Sequence, residues 1–150
     1  MRALLQRVRK ADLQVNGEHV ASIRRGWVVF LGITHSDQNA DATWLAEKIL
    51  KLKVFESEQN PPSPASVQEI GGEVMVVSQF TLHASFKKGT KPSYHRAAPP
   101  GIAEPLYQEL LNVLREYGAR LSCGTFGAHM NVILDNDGPI TLMLDSHARD

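Results

Sequence analysis

Two short segments of this 150-residue chain combine residue types that can take part in catalysis. The first is Ser78-Gln79-Phe80-Thr81-Leu82, which follows a predicted buried strand and precedes a basic loop. Backbone N–H groups and side chains at the end of a strand can stabilise an oxyanion that develops during acyl transfer. A strand that simply ends in polar residues explains the same pattern, so this segment alone leaves both interpretations open.

The second segment is Asn136-Asp137-Gly138-Pro139, and its local sequence is typical of an ordinary turn. It also permits a binding role, because Gly138 lacks a Cβ atom and its backbone can approach a ligand closely. An X–Pro bond adopts the cis form far more readily than other peptide bonds. A cis bond would turn successive carbonyls to one side, where they can hold an ammonium group.

Other kinds of site have weaker support. The six histidines show no metal-ligand spacing, so no metal site is expected. The sequence contains no G-x-S-x-G, P-loop or G-x-G-x-x-G motif, which argues against a serine hydrolase and a nucleotide cofactor. Cys123 precedes His129 by six residues and is a candidate thiolate nucleophile, although a small buried cysteine is the simpler interpretation. A single cysteine also favours a reducing compartment.

The charges cancel in number but are segregated along the chain. Sixteen basic and sixteen acidic residues give a net charge of zero, which argues against a broad nucleic-acid-binding surface. Residues 77–100 nevertheless carry four basic side chains and no acidic one: Lys87, Lys88, Lys91 and Arg96. A solvated loop is the simpler interpretation, and a local contact with nucleic-acid phosphates is the alternative.

These segments need a scaffold, and the first 35 residues predict β-structure. Leu4, Gln6 and Val8 alternate with other positions, and Asn16-Gly17 is a strong hairpin-turn signal. Residues 27–33 form a continuous apolar run with the length of a buried strand. Further strands are predicted at residues 73–80, 119–122, 130–135 and 140–145, with residues 136–139 as a turn and residues 57–66 as an irregular loop.

Two helices complete the prediction. Helical spacing begins near Asn39, and a second helix is predicted between Pro100 and Gly118. The apolar stripe of this second helix consists of Ile102, Leu106, Leu110, Leu111 and Leu114. Many strands with hairpin connections and two main helices favour an α+β fold with a mostly antiparallel, barrel-like sheet. One domain is expected over residues 1–146, followed by a loose tail at 147–150. No apolar run has the length of a membrane span.

Taken together, the two segments resemble the signature motifs of the D-aminoacyl-tRNA deacylase family, the second one extending to Ile140-Thr141. The resemblance continues in the same order over residues 1–146. It includes Gly32-Ile33-Thr34-His35, Pro92-Ser93-Tyr94 and Phe126-Gly127-Ala128-His129-Met130. The chain departs from the family at residues 57–65, where a Pro-rich segment replaces a Gly-Lys-Met-Asn stretch, and at Ser85-Phe86, where the family has Asp-Thr.

The resemblance implies a cytoplasmic homodimer that hydrolyses the ester of D-aminoacyl-tRNA, and also accepts glycyl-tRNA. It implies no metal, no organic cofactor and no membrane; the expected partners are tRNA and a second copy of the chain. Gly138 and Pro139 would form a Gly–cis-Pro element that enters the partner subunit's site, holds the α-ammonium group and clashes with an L side chain.

The same resemblance implies roles for the first segment. Ser78, Gln79, Phe80 and Thr81 would form the catalytic strand. The N–H groups near Phe80 and Thr81 are the candidate oxyanion donors, Gln79 would orient the ester, and Thr81 would position substrate rather than attack it. The candidate tRNA contacts are Lys87, Lys88, Lys91 and Arg96.

Two alternatives stay open at this point. The Pro-rich segment at residues 57–65 suggests a non-catalytic dimer that binds RNA or a small ligand on the same scaffold. The pair of Cys123 and His129 suggests a cysteine-dependent hydrolase.

Overall fold

A computed structural model describes residues 1–149, and its order of elements matches the α+β prediction. The strands are β1 (Arg2–Val15), β2 (Glu18–Ile23), β3 (Gly26–Gly32), β4 (Phe55–Glu56), β5 (Pro64–Ala65), β6 (Glu73–Ser78), β7 (Arg120–Cys123) and β8 (Met130–Asp145). The helices are α1 (Asn39–Lys51) and α2 (Pro100–Glu116), and a short 3-10 helix spans Phe80–His83. None of the helices within residues 1–149 is long and apolar enough to cross a membrane.

The main sheet is built around β1. This strand pairs antiparallel with β2, β3 and β8, and β3 continues through parallel pairings to β6 and then β7. Asn16 and Gly17 both have positive φ angles between β1 and β2, which is the backbone of the predicted hairpin turn. The six strands form a nearly closed barrel in one domain with two helices.

The core has two parts. The larger part lies where α1 and α2 cover the sheet and includes Leu45, Ile49, Leu110 and Leu114, all without solvent exposure. The smaller part fills the barrel and includes Val8, Leu13, Val28 and Met75. Because β3 and β6 lie between these two parts, both of their faces are buried, as their continuous apolar sequences predict.

In two places the sequence pattern does not correspond to burial. In the first half of β1, Ala3 and Leu5 are the buried residues, because the face that carries them meets the helices, whereas Leu4 and Gln6 are partly exposed. Ile102 is 41% exposed, because the first turn of α2 projects beyond the residues that pack on the core. The predicted loop at 57–66 is correct for most of its length, although Pro64 and Ala65 pair with β4.

The predicted turn at residues 136–139 is wrong as well. Residues 130–145 form one strand, β8, which pairs with β1 on both sides of this segment. Gln6 pairs with Thr141 and Val8 with Asn136, so four residues of β8 lie opposite one residue of β1 and are accommodated without a reversal of the chain. The further shift between Val8 and Lys10 places one extra residue on β1. Gly138 and Pro139 therefore project as an irregularity within an edge strand.

Residues 147–149 contact the domain. The Nε2 atom of His147 lies 2.7 Å from the Oδ1 atom of Asp37, and the Arg149 guanidinium lies 4.9 Å from the centre of the Trp44 ring. Asp37 also receives a hydrogen bond from the amino group of Met1. Position 150, the last of the predicted tail, lies outside the described residues.

Candidate active site

A cavity of about 590 Å³ opens at the end of β6, where the first signature segment begins. Its polar rim includes Ser78, Gln79 and His129, and its apolar wall includes Leu31, Phe126 and Val132. The volume is within the range of small-molecule sites. A mostly apolar pocket with polar groups on one side can bind an ester whose side chain varies.

The signature segment leaves the sheet at this cavity. Ser78 is the last residue of β6, and its Oγ accepts a hydrogen bond of 3.3 Å from the N–H of Gly127. The chain then turns into the 3-10 helix, where Phe80 is 56% exposed and makes an edge-to-face contact with Tyr94 at 5.0 Å. The two rings stand at the mouth of the cavity.

Two backbone donors of this segment have no acceptor within residues 1–149. The N–H of Gln79 bonds to the Leu31 carbonyl, and the N–H of Leu82 bonds to the Gln79 carbonyl. The N–H groups of Phe80 and Thr81, which begin the 3-10 helix, make no such bond in the described chain. Free N–H groups of this kind are suitable donors for an oxyanion.

The hydroxyl of Thr81 is held by Gln79. The side-chain Nε2 of Gln79 donates a hydrogen bond to Thr81 Oγ1, and within residues 1–149 no carboxylate or imidazole bonds to that hydroxyl. Gln79 lines the cavity, whereas the Thr81 side chain is not part of its wall. An unactivated hydroxyl is a weak nucleophile, so this geometry favours a positioning role.

The second segment lies away from this cavity. Gly138 and Pro139 are exposed, their peptide bond is cis, and neither residue lines the cavity of its own chain. Gly138 has a φ of +109°, a conformation that L residues rarely adopt.

Arg7 holds this segment in place. Its Nε donates to the Asp137 carbonyl at 3.2 Å and lies 3.4 Å from the Asp137 carboxylate, while its Nη1 donates to the Val54 carbonyl. Asn136 adds bonds from its side-chain amide to the carbonyls of Arg7 and Ile140. The Gly138 backbone is thus fixed by side chains and not by an ordinary turn.

The basic loop is on the surface. Lys87, Lys88, Lys91 and Arg96 are all exposed. The loop is closed by Ser85 and Ser93, which exchange backbone hydrogen bonds of 2.8 and 3.0 Å. Arg96 stands apart from the three lysines, since it immediately precedes Ala97 and Ala98 in the cavity wall.

The remaining candidates are less suited to catalysis. Cys123 ends β7 half-buried beside the hydroxyl of Tyr107, whose pKa is raised by burial and by the neighbouring sulfur. Asp37, Asp41 and His147 lie close enough together to ligate a metal ion. However, the Met1 ammonium and His147 already contact the Asp37 carboxylate, which accounts for its charge without a metal.

Comparison with known proteins identifies the family of this chain. The family model of D-Tyr-tRNA(Tyr) deacylase matches residues 4–145. The chain belongs to the D-aminoacyl-tRNA deacylase family. A curated D-aminoacyl-tRNA deacylase of Thermosipho africanus is 47% identical over 146 residues, which is 97% of each chain. One of Opitutus terrae is 49% identical over 151 residues and the full length of both chains.

Solved structures share the fold of this deacylase-family chain. The c-Myc DNA Unwinding Element Binding Protein superimposes with a TM-score of 0.89 at 40% identity, covering 97% of this chain and 98% of the other. A probable eukaryotic D-amino acid tRNA deacylase superimposes with a TM-score of 0.81 over 95% and 97% of the two chains. At 20% identity, this second match shows a shared fold and nothing further.

Sequence reasoning missed Arg7 as a site residue. Its partner Asp137 is 130 positions away, and nothing in the residues around Arg7 indicates that contact. The pairing of β1 with β8 creates it. One signal was present in the sequence. Arg7 is a charged residue at a position where the alternation of a half-buried strand would place an apolar one.

Proposed function

We propose that this protein hydrolyses the ester of D-aminoacyl-tRNA and releases tRNA and the free D-amino acid. The observation that carries the proposal is the pair of unbonded N–H groups of Phe80 and Thr81 beside a cavity of suitable size. Membership of the deacylase family supports the same reaction. A glycyl ester has no side chain to be rejected, so glycyl-tRNA is a second proposed substrate.

The proposed chemistry is positioning and oxyanion stabilisation. The ester carbonyl would lie against the Phe80 and Thr81 N–H groups, which stabilise the tetrahedral intermediate as water attacks. Gln79 would orient the ester from the cavity wall, and Ser78 would hold the Gly127 backbone that also lines the cavity. Thr81 would fix the Gln79 amide through their mutual hydrogen bond.

We further infer that the chain acts as a homodimer. Gly138 and Pro139 are exposed and do not line the cavity of their own chain, so a role in catalysis requires the cavity of a second copy. Ile133 and Met143, on the same edge strand, are 54% and 52% exposed, and such apolar side chains are suited to an interface. Size-exclusion chromatography with light scattering should give twice the monomer mass.

In this dimer, Gly138 and Pro139 would select the substrate's chirality. Their carbonyls would accept hydrogen bonds from the α-ammonium group, and their backbone would occupy the space that an L side chain needs. Selection by exclusion is indifferent to the identity of the D side chain, because no pocket has to match it.

The proposed tRNA contacts are local. Lys87, Lys88, Lys91 and Arg96 would neutralise a few phosphates near the acceptor end, in the cytoplasm where charged tRNA is used. Few contacts predict a shallow dependence of affinity on salt, about −0.7 in log–log slope per phosphate for single-stranded RNA.

The decisive experiment compares purified protein on D-Tyr-tRNA, L-Tyr-tRNA and Gly-tRNA. We expect hydrolysis of the D and glycyl esters and none of the L ester above background. The Thr81→Val variant should retain measurable D-specific hydrolysis, whereas a covalent nucleophile would lose it. Thr43→Val, at a half-buried position of α1 outside the cavity, is the matched control and should behave as wild type.

The same assay separates the runner-up function. Equal rates on D and L esters would refute chiral selection. Binding of tRNA without hydrolysis of any ester would instead support a non-catalytic RNA-binding dimer, for which the Pro-rich segment at residues 57–65 is the motivation.

A further inference from the structure

Exposed aromatic side chains are clustered beside the candidate active site. Among residues 1–149, the exposed aromatic residues are Phe80, Phe86, Tyr94 and Tyr117, and the first three lie within residues 80–94. Phe86 is 66% exposed, the largest value for any large apolar residue in that part of the chain. Single exposed apolar residues are ordinary, whereas a group of them indicates a binding surface. We refer to Phe80, Tyr94 and Phe86 as the aromatic track.

The aromatic track leads outward from the cavity. Phe80 and Tyr94 line the mouth of the cavity, with their ring centres 5.0 Å apart. Phe86 and Tyr94 follow the two residues of the antiparallel bridge between Ser85 and Ser93. They therefore occupy diagonal positions across this bridge, which in antiparallel pairs share one face about 7–8 Å apart. Because Ser85 is buried, the opposite face, which carries these two rings, is directed to solvent.

The backbone that carries Tyr94 is held before any ligand binds. Thr34 Oγ1 donates a hydrogen bond to the Arg96 carbonyl, and His35 Nε2 donates one to the His95 carbonyl at 3.1 Å. The two backbone hydrogen bonds between Ser85 and Ser93 fix the other side of Tyr94. A surface that is ordered in advance loses less conformational entropy on binding, so an exposed ring at this position is suited to hold a ligand.

Positive charge continues beyond the outer end of the aromatic track. Lys87, Lys88 and Lys91 are exposed, and residues 77–100 contain no acidic side chain. Within residues 1–149 none of the three lysines pairs with a carboxylate. Aromatic rings for the bases next to a basic surface for the phosphates are the features with which proteins bind single-stranded nucleic acid. A second copy of the chain is less suited to cover this surface, because it would have to leave these charges unpaired.

We propose that the aromatic track binds the unpaired nucleotides that precede the esterified nucleotide of the RNA, with one base stacked on Tyr94 and the next on Phe86. Lys87, Lys88 and Lys91 would neutralise the phosphates of these nucleotides. The proposal rests on the proposed function, since the ester in the cavity sets the direction of the strand. Stacking accepts every base, so this surface would recognise unpaired RNA and not its sequence.

The proposal can be tested with an RNA hairpin that carries four unpaired nucleotides at its 3′ end and no amino acid. The fluorescent base 2-aminopurine replaces the second or the third unpaired base in turn, because its emission is quenched when it stacks on an aromatic ring. Titration with the wild-type protein should quench both labelled hairpins. A hairpin without unpaired nucleotides should bind more weakly than either, and equal binding would overturn the proposal.

Variants of Phe86 separate stacking from other effects. Phe86→Ala should weaken binding of the hairpin about 5- to 150-fold, which corresponds to the loss of one base–aromatic stack. Phe86→Leu keeps an apolar side chain but should also lose affinity and quenching, whereas Phe86→Trp should retain both. Lys88→Ala should lower the log–log salt slope by about 0.7 and leave the quenching at saturation unchanged. Because 66% of the Phe86 side chain is exposed, these variants should fold as wild type.

Tyr117→Ala is the matched control and should bind the hairpin as the wild type does. Tyr117 is also an exposed aromatic residue, but it follows the last residue of α2, whereas the cavity is lined by Pro100 and Ala103 at the start of that helix. The 17 residues of α2 separate the two positions by about 25 Å.

Unchanged affinity and quenching in Phe86→Ala would overturn the proposal, and so would full affinity in Phe86→Leu. Light scattering of Phe86→Ala provides a further check, because a halved mass would assign Phe86 to a contact between subunits instead. The hairpin carries no ester, so binding is measured independently of catalysis. If the wild type quenches the labelled hairpins but hydrolyses no aminoacyl-tRNA, the proposed function fails and the stacking surface stands. If it hydrolyses D-Tyr-tRNA without quenching either hairpin, the stacking surface fails and the proposed function stands.

Discussion

Replacement of Gly138 by alanine tests how the second signature segment is held. A Cβ atom at this position would lie 2.6 Å from Arg7 Nη2 and 3.4 Å from Ile140 Cγ1. The first distance is too short for any real contact, so the Arg7 guanidinium must move. The backbone φ of +109° is strained for alanine in any case.

The loss of stability expected for the Gly138→Ala variant follows from these two effects. An alanine held in this backbone conformation costs about 1–3 kcal/mol. Displacement of Arg7, which is 16% exposed, would weaken its hydrogen bonds to the carbonyls of Asp137 and Val54. A hydrogen bond from a charged group contributes roughly 1.5–3 kcal/mol. For a chain of this size the melting temperature falls by about 2–4 °C per kcal/mol.

The catalytic effect should exceed the effect on stability. A shift of the Gly138 and Pro139 carbonyls by about 1 Å should slow hydrolysis of D-Tyr-tRNA by up to about 100-fold, as misplacement of positioning groups does. Gly17→Ala is the matched control, because Gly17 has a φ of +81° with nothing within 4 Å of its Cβ position. That variant should lose stability through its backbone alone and keep the wild-type rate.

The reasoning would be refuted by a Gly138→Ala variant that melts no lower than Gly17→Ala and hydrolyses D-Tyr-tRNA at the wild-type rate. Thermal melts followed by circular dichroism and single-turnover deacylation on the same preparations provide both measurements.

Two further predictions concern other parts of the chain. Burial opposes the ionisation of Asp145, but the hydrogen bonds from Arg2 and from the His147 backbone prevail and lower its pKa. A carboxylate whose pKa is lower in the folded chain stabilises the fold at neutral pH, and this stabilisation is lost as pH falls through that pKa. Asp145→Asn should therefore lower the melting temperature at pH 7, with the difference starting to shrink only as the pH falls below about 4; a constant difference at all pH values would contradict the assignment. Cys123→Ala should retain full D-Tyr-tRNA hydrolysis, since the sulfur lies beside Tyr107 and not in the active-site cavity; loss of activity in a folded variant would revive the cysteine hydrolase.

Local sequence signals predicted the parts of the fold that depend on neighbouring residues. The Asn16-Gly17 turn, the start of α1 at Asn39 and the end of α2 before Gly118 are where their local chemistry places them. The apolar runs of β3 and β6 correctly indicated strands buried on both faces. Each of these features is determined within a few residues of chain.

Features that depend on distant pairing were predicted poorly. Asn136-Asp137-Gly138-Pro139 has the composition of a turn, but the pairing of β8 with β1 on both sides keeps the chain in one strand. The contact of Arg7 with Asp137 could not be predicted either, because the two residues are 130 positions apart in the chain. Short-range patterns contain no information about such contacts.

The neutral net charge of the chain is compatible with binding one end of a tRNA. Several acidic residues are neutralised within the fold: Asp37 by the Met1 ammonium, Asp145 by Arg2 and Asp137 by Arg7. The basic loop has no acidic residue in its segment. Arg96 of this segment immediately precedes Ala97 in the cavity wall, so part of the segment's positive charge lies beside the candidate active site. A ligand that presents only its terminal nucleotides needs a basic surface of that extent, and a protein with this distribution would bind the end of the RNA while leaving its body in solution.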